Sequence, residues 1–405
     1  MQVTLLGLGG GTPESVTVAA QTVLERAELI VGAARLLDTL PAHAGQRRVA
    51  AVRADEIAET LACADAGEIC VAFSGDTGFY SGAKALLPLL KERGIGCRVL
   101  PGISSVQLLA ARLGRPWQDW TLCSAHGIGC DPIAAIMRGK PAFFLTGGVV
   151  TPATLCAELA EAGLGDVCVA VGENLSYEDE RVTETTVAAC MKMTFAPLAV
   201  LLVEAVERPD VPSGGLTDED FLRGDAPMTK QEVRAAIRSK LAVRRGDIIW
   251  DVGAGTGSVS VELALAASEG RVYAVECREE ACALIEANKR RFGAWNLRVV
   301  RGAAPEALRT LPKPDAVFIG GSRGNLREII AAALAANPTA RLCMTAIALE
   351  TLSAALEACK KIDSTIEITQ IAVNQTKSMG ELHLLMANNP IFLIMAQRRE
   401  TTCSN

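Results

Sequence analysis

An α/β fold in two successive lobes is predicted by this 405-residue sequence, and three observations carry that prediction. Short apolar runs alternate with helix-like stretches along the chain, the pattern of layered α/β units. Two glycine-rich turns, at residues 7–11 and 253–257, each join an apolar run to a helical pattern. Between them, residues 207–216 concentrate Pro, Gly and Ser, the composition of a linker. The predicted division is therefore 1–210, a linker at 211–225, and 226–405. The halves around residue 210 also differ in charge, net −8 before it and +2 after it, within an overall −6.

In the first half the strand candidates are 3–6, 69–73, 97–100, 142–146, 167–171 and 199–203, each an apolar run bounded by turn residues. Helical patterns at 13–27 and 81–93 lie between them, and a subdivision is expected near 114–118. In the second half the candidates are 247–252, 271–276, 297–300, 316–319 and 342–346, again separated by helical patterns. Three β-rich runs follow at 365–373, 381–386 and 391–396 with no helix between them, which predicts antiparallel strands finishing a mostly parallel sheet.

Composition narrows the function classes. Hydrophobic residues at 50% and charged residues at 21% are an ordinary globular balance. A negative net charge with only 9 Phe, 4 Trp and 3 Tyr argues against nucleic-acid binding, which needs basic surface and stacking rings. No apolar run approaches the roughly 18 residues that span a bilayer, and the N-terminus lacks the basic start of a signal peptide. Thirteen cysteines without a CxxC pair read as buried thiols of a reducing cytoplasm. His43, His126 and His383 are too scattered to predict a metal site.

The strongest local signal runs from the strand ending at Asp251 through Gly253, Ala254, Gly255, Thr256 and Gly257 into a helix. Glycines let a ligand approach the backbone closely. The next strand ends in Glu276, 19 residues after Gly257, where a carboxylate can accept both ribose hydroxyl protons. A dinucleotide loop would place glycine at Ser258, and the acid at Asp251 would repel a pyrophosphate. That acid suits a ligand bearing an ammonium and a sulfonium, such as S-adenosylmethionine. A bare strand-to-helix turn and a dinucleotide site remain the competing readings. Upstream, Thr229 and Glu232 have capping-box spacing at the start of an amphipathic helix. Downstream, Gly302, Ala303 and Ala304 follow the third strand, where a loop facing a base would fall.

The first half holds a different arrangement. Gly7, Leu8 and Gly9 end one strand, Gly75, Asp76 and Gly78 a second, and Gly102, Ser104 and Ser105 a third. Polar turns at strand C-termini are where open α/β sheets hold ligands. Each turn alone is ordinary; three together point to one site.

These motifs, in this order, carry a resemblance. The first half resembles the tetrapyrrole (corrin) methylase family in its C5-methylating branch, through the loop at 7–11, Gly75-Asp76, the run from Pro101 to Ala110, and the run from Val171 to Tyr177 continued by Asp179 and Arg181. The second half is similar to the class I methyltransferases that methylate C15 and decarboxylate. It matches through Pro227–Lys230, the 251–258 loop, the run from Pro314 to Gly321 and Leu349–Thr351. The resemblance implies a tetrapyrrole methylase fold of two α/β subdomains followed by a Rossmann-like domain. It also implies one S-adenosylmethionine per lobe and a polycarboxylate precorrin, with or without cobalt, as substrate. Methylation at C5 and C15 with loss of the C12 acetate carboxyl would follow, in a homo-oligomer.

The cofactor residues so implied are Gly7, Leu8, Gly9, Asp76, Gly78, Ser104 and Ser105 in the first lobe. In the second they are Thr229, Asp251, Gly253, Ala254, Gly255, Thr256, Gly257, Glu276, Gly302, Ala303 and Ala304. Asp76, Arg323 and Glu350 are the candidates for a catalytic role. Arg278, Lys289, Arg290, Arg291, Arg323 and Arg327 are available to attract the substrate's carboxylates. The chain departs from the family pattern at Thr77, where a turn proline is usual, and at Thr345 and Ala348, which replace an amide and a hydroxyl. Ala303 stands where an acid is common, leaving a base to backbone groups. A class I methyltransferase for another small molecule or tRNA, with a non-catalytic first lobe, and a ligand-binding scaffold are the alternatives.

Overall fold

The computed structural model describes residues 1–41, 43–125, 130–212, 214–362 and 364–398; His126, named above, and residue 213 of the 207–216 stretch lie outside the described residues. The chain forms two compact units, Met1–Cys130 with Lys140–Ala160 and Gly165–Ala205, and Asp131–Gly139 with Glu161–Leu164 and Val206–Asn405.

The first unit begins with β1 (Gln2–Gly7), β2 (Leu29–Gly32), β3 (Arg47–Ala50), β4 (Glu68–Phe73) and β5 (Cys97–Leu100), arranged in the order β3-β2-β4-β1-β5. All four pairings are parallel. A parallel sheet is covered on both faces, so its central strands are mostly apolar rather than alternating. Leu5 and Val71 accordingly pack with Leu86 on one face, and Leu6 and Cys70 with Leu24 on the other. The helix Ser105–Leu113 stops at Gly114, whose φ of +64° needs glycine, near the expected subdivision.

Beyond it lie β6 (Thr121–Ser124), β7 (Ala142–Leu145), β8 (Cys168–Glu173), β9 (Arg181–Thr186) and β10 (Ala199–Val203), in the order β6-β7-β10-β8-β9. Here β6 and β7 are parallel and the other pairs antiparallel. The strands absent from the sequence reading are β2, β3, β6 and β9. The first is only Leu-Ile-Val-Gly, and β3 and β9 are edge strands too polar to stand out.

The second unit contains β11 (Ile248–Val252), β12 (Arg271–Glu276), β13 (Leu297–Arg301), β14 (Ala316–Ile319), β15 (Arg341–Ala346), β16 (Ser364–Ile371), β17 (Asn374–Met379), β18 (Leu382–Ala387) and β19 (Ile391–Arg398). Seven of these form one sheet in the order β13-β12-β11-β14-β15-β19-β16. β11 to β15 are mutually parallel, and β19 runs antiparallel between β15 and β16. The expected antiparallel finish is present, with one correction. The run at 381–386 does not join the main sheet; it forms β18, paired with β17 in a separate hairpin exposed along both strands. Periodicity marks a strand but not its partner, and the polar run Asn374–Met379 supplied no β-signal of its own.

The segment expected as a linker, 211–225, is not a free tether. Leu216 and Phe221 are buried in the second unit's core. Arg234, 1% exposed, gathers the segment: Nη1 donates to Asp218 Oδ1 at 2.7 Å and to the Thr229 carbonyl at 2.6 Å, Nη2 to the Leu216 carbonyl at 2.6 Å, and Nε to Glu262 Oε1 at 2.8 Å. Its guanidinium also lies 4.8 Å from the centre of the Phe221 ring. A buried cation requires such partners, and turn composition does not announce them. The expected cap at Thr229 is not formed either. The helix Gln231–Lys240 takes Lys230 as its N-cap residue, with no side-chain cap, which puts Thr229 one position before the cap; Thr229 lines a cavity.

Among the described residues no helix is long and apolar enough to cross a membrane, and no cluster of His, Cys, Asp and Glu could hold a metal ion. The described cysteines are all free thiols.

Candidate functional site

Each unit has a large cavity at the C-terminal ends of its parallel strands, where open α/β sheets leave their loops. In the second unit the cavity measures about 780 Å³. Gly253, Ala254, Gly255 and Thr256 form one wall, Pro227 and Thr229 another, and Glu276, Gly302, Ala303 and Ala304 line it too. Most of the residues marked from sequence therefore meet around one space.

The glycines have separate physical reasons. Gly253 (φ +75°) crosses the loop after β14, and a Cβ there would lie 2.5 Å from the Gly321 carbonyl oxygen. Gly255 (φ +56°) would set its Cβ 3.1 Å from the Pro227 oxygen. Gly257 (φ +76°) begins the helix Ser258–Ala266 and packs against Ile285 rather than lining the cavity.

Glu276 is the best-defined polar group. Its Oε2 accepts the Gly255 N–H at 3.0 Å, and Oε1 accepts the N–H groups of Cys277 and Arg278, each at 3.0 Å. Burial opposes its charge, yet these backbone donors hold the carboxyl below its ordinary value. An ionised acceptor thus faces the cavity.

Asp251 is a correction. Its side chain is fully buried beneath the loop, accepts a hydrogen bond from Ser260 Oγ and does not line the cavity. Its hydrogen bond ties β11 to the helix Ser258–Ala266 rather than placing a carboxyl on the cavity wall. Burial, together with the nearby Glu276 charge and against the Ser260 hydrogen bond, pushes its carboxyl up to about 7. Oδ1 has no partner within the protein, which a neutral carboxyl tolerates better than a carboxylate.

The folded state therefore keeps a proton that the unfolded chain releases near pH 4. Stability from this group is full below that point and falls until the pH passes about 7. Glu276 acts with the opposite sign, losing its contribution only in acid below its ordinary range. Denaturant midpoints measured from pH 5 to 8 should fall for the native chain and stay nearly level for Asp251→Asn, the gap widening by roughly 2–4 kcal/mol. Parallel curves would exclude a neutral buried Asp251.

Of the catalytic candidates, Arg323 lines the cavity, with Nη1 donating to Cys277 Sγ at 2.8 Å. Glu350 is corrected: it is exposed on the first turn of the helix Leu349–Lys361 and lines neither cavity of the second unit, although Thr351 beside it lines the smaller one. The basic run fares similarly. Lys289 is buried against Glu286, and neither Arg290, Arg291 nor Arg327 lines the cavity. Arg278 and Arg323 do. The backbone at 303–304 is partly committed: the Ala303 carbonyl accepts from Ala307 N–H and the Ala304 carbonyl from Asn325 Nδ2.

In the first unit the cavity measures about 910 Å³. Gly9, Asp76, Ser104 and Ser105 line it. Gly7 and Leu8 lie below, where Gly7, Gly75 and Gly102 bring three loops into backbone contact; Gly78 supports Asp76 from behind. Gly9 and Gly75 exchange both backbone hydrogen bonds, at 3.1 and 2.9 Å. Asp76 ties the other loops, accepting Gly78 N–H at 2.8 Å and Gly102 N–H at 3.1 Å. In the same turn Thr77 donates its hydroxyl to the Leu100 carbonyl at 3.2 Å.

Sequence reasoning missed Arg35 and Lys84 of this cavity and placed Tyr177 only within a motif, with no site role. Arg35 Nη1 donates to Tyr177 Oη at 3.3 Å, a pairing of residues far apart in the chain that no local motif signals.

With this geometry in hand, residues 2–190 match the family model described as tetrapyrrole (corrin/porphyrin) methylases, and 220–398 the one described as precorrin methyltransferase domain. A Pyrobaculum calidifontis protein named probable cobalt-precorrin-6B C(15)-methyltransferase (decarboxylating) is 45% identical over 185 residues, covering 45% of this chain and 95% of that one. The corresponding Salmonella typhimurium protein is 40% identical over 188 residues, 46% of this chain and 97% of its own. A Sinorhizobium protein named precorrin-6Y C(5,15)-methyltransferase [decarboxylating] is 36% identical over 257 residues, and the match spans 62% of each chain.

Proposed function

This chain belongs to the precorrin methyltransferase family, and from that premise we propose that it methylates a precorrin, or its cobalt form, at C5 and C15 and removes the carboxyl of the C12 acetate. The observation that carries the proposal is Glu276: an ionised carboxylate, held by three backbone N–H groups, beside a glycine loop and a cavity of about 780 Å³. That donor and acceptor set fits the ribose of S-adenosylmethionine, which supplies an electrophilic methyl group when bound.

In the second unit Glu276 would accept the ribose hydroxyls, and Gly253 and Gly255 would let the cofactor lie against backbone. Thr229 lines the same cavity, its carbonyl held by Arg234 Nη1 at 2.6 Å. In the first unit Gly9, Ser104 and Ser105 would hold the second cofactor while Asp76 keeps their loops in register. The protein's work is orientation and exclusion of water, worth up to about 7–11 kcal/mol of barrier. The meso carbons of a reduced tetrapyrrole are enamine-like nucleophiles, so no strong protein base is demanded. Arg278 and Arg323 in one cavity, and Arg35 and Lys84 in the other, are placed to pair with substrate carboxylates.

Self-association belongs to the same proposal. The β17–β18 hairpin exposes Met379, Leu382, Leu385 and Met386, apolar surface that a second copy could cover. A cytoplasmic setting, where the cofactor is made, goes with it.

Calorimetry and product masses test the proposal together. Two cofactor equivalents should bind per chain, and the precorrin product should carry two added methyl groups and lack one carbon dioxide. A single equivalent with one methyl added would leave one unit without a catalytic role.

A further inference from the structure

Beside the larger cavity of the second unit lies an annex of about 380 Å³. The two share Gly320, Gly321, Ser322, Arg323, Thr345 and Ile347 as lining, so one opens beside the other. The inner wall is apolar and buried: Ile319, Leu326, Met344, Ala346 and Ala355 are each less than 9% exposed. Arg323 is the one charged side chain lining it among the described residues. Its backbone φ of +49°, followed by Gly324 at +90°, turns the loop after β14 so that Arg323 belongs to both spaces. The present partner of its guanidinium is the Cys277 sulfur, a weak acceptor that a carboxylate would displace.

Resting on the reading above, we propose that this annex seats the carboxymethyl arm that is decarboxylated, with Arg323 recruiting its carboxylate at the mouth. The annex is far smaller than a macrocycle and suits one side arm. A carboxylate drawn past Arg323 into the apolar interior loses water, whereas carbon dioxide needs none, so the surroundings favour cleavage. The bond between the methylene and carboxyl carbons breaks. Its electron pair moves into the conjugated ring left electron-poor by C15 methylation, carbon dioxide departs, and a proton from water ends on the exocyclic carbon, leaving a methyl group. Neither oxidant nor reductant is required. This would explain how a unit without an obvious acid–base pair performs both steps: the ring accepts the electrons and the annex selects which arm is lost.

The test uses the full chain with precorrin and S-adenosylmethionine, and compares Ala355→Leu, which fills the annex from inside, with Ala348→Leu at its rim. Mass spectrometry reads the fraction of C15-methylated product that has lost carbon dioxide. That fraction should fall about ten-fold or more in both variants, with accumulation of a methylated product heavier by one carbon dioxide. Arg323→Gln should raise KM for precorrin about ten-fold, and Arg323→Lys should recover part of it. Thermal unfolding and cofactor calorimetry on the same variants distinguish a filled annex from a damaged unit. If the folded, cofactor-binding leucine variants still decarboxylate all the product they methylate, the annex is not the seat. If the native chain itself adds no methyl to precorrin, the parent reading falls and takes this one with it, a result recognisable without any variant.

Discussion

Gly255→Val should abolish C15 methylation and decarboxylation, by about 100-fold or more, while the first unit still binds its cofactor. The position has a φ of +56°, and a Cβ there would sit 3.1 Å from the Pro227 oxygen. A β-branched residue held in that region stores about 1–3 kcal/mol of strain, so the loop would move. Movement breaks the Gly255 N–H bond to Glu276 Oε2, now 3.0 Å, and displaces the acceptor proposed for the ribose. Calorimetry should then find one cofactor equivalent per chain in place of two. A Gly255→Val chain that still releases carbon dioxide from precorrin would show that this loop does not serve the C15 reaction.

Gly102→Ala should produce the complementary loss. A methyl at that position would stand 2.3 Å from the Gly75 carbonyl oxygen and 2.6 Å from that of Gly7. Both obstacles are backbone, so no rotamer relieves them. Separating the three loops also breaks the Gly102 N–H bond to Asp76, and overpacking of this kind costs about 1–3 kcal/mol. C5 methylation should drop about 100-fold, while the product still gains the C15 methyl and loses carbon dioxide. Gly96→Ala is the control: nothing lies within 4 Å of its added Cβ, and it should change stability by no more than about 0.5 kcal/mol. Equal behaviour of the two variants would remove the loop crossing from the account of the first cavity.

The legible part of this protein is the part encoded locally. Alternating apolar runs and helices disclosed most strands of the two units' parallel β-layers, since a strand buried on both faces is mostly apolar. The glycine turns were visible because close backbone approach and left-handed φ leave little choice but glycine. Glu276 could be named because a strand of fixed rise brings its last residue beside the preceding turn. Edge strands such as β3 and β9 carry no comparable pattern, and β17 is polar along its length.

By itself, then, the sequence determined the α/β class, the two glycine loops and some of the residues around each cavity, more in the second unit than in the first, because strand periodicity and glycine geometry act over a few neighbours. Tertiary structure decided which of the candidate charges stay away from those cavities and which unmarked ones join them. Asp251 and Lys289 read as available and are buried, whereas Arg35 and Lys84, which no motif marked, reach the lining. It also turned 211–225 from a tether into part of a core, through Arg234. Desolvation is the reason: whether a charge is sheltered, paired or offered to a ligand depends on what the rest of the chain packs around it, and no short stretch of sequence contains that information.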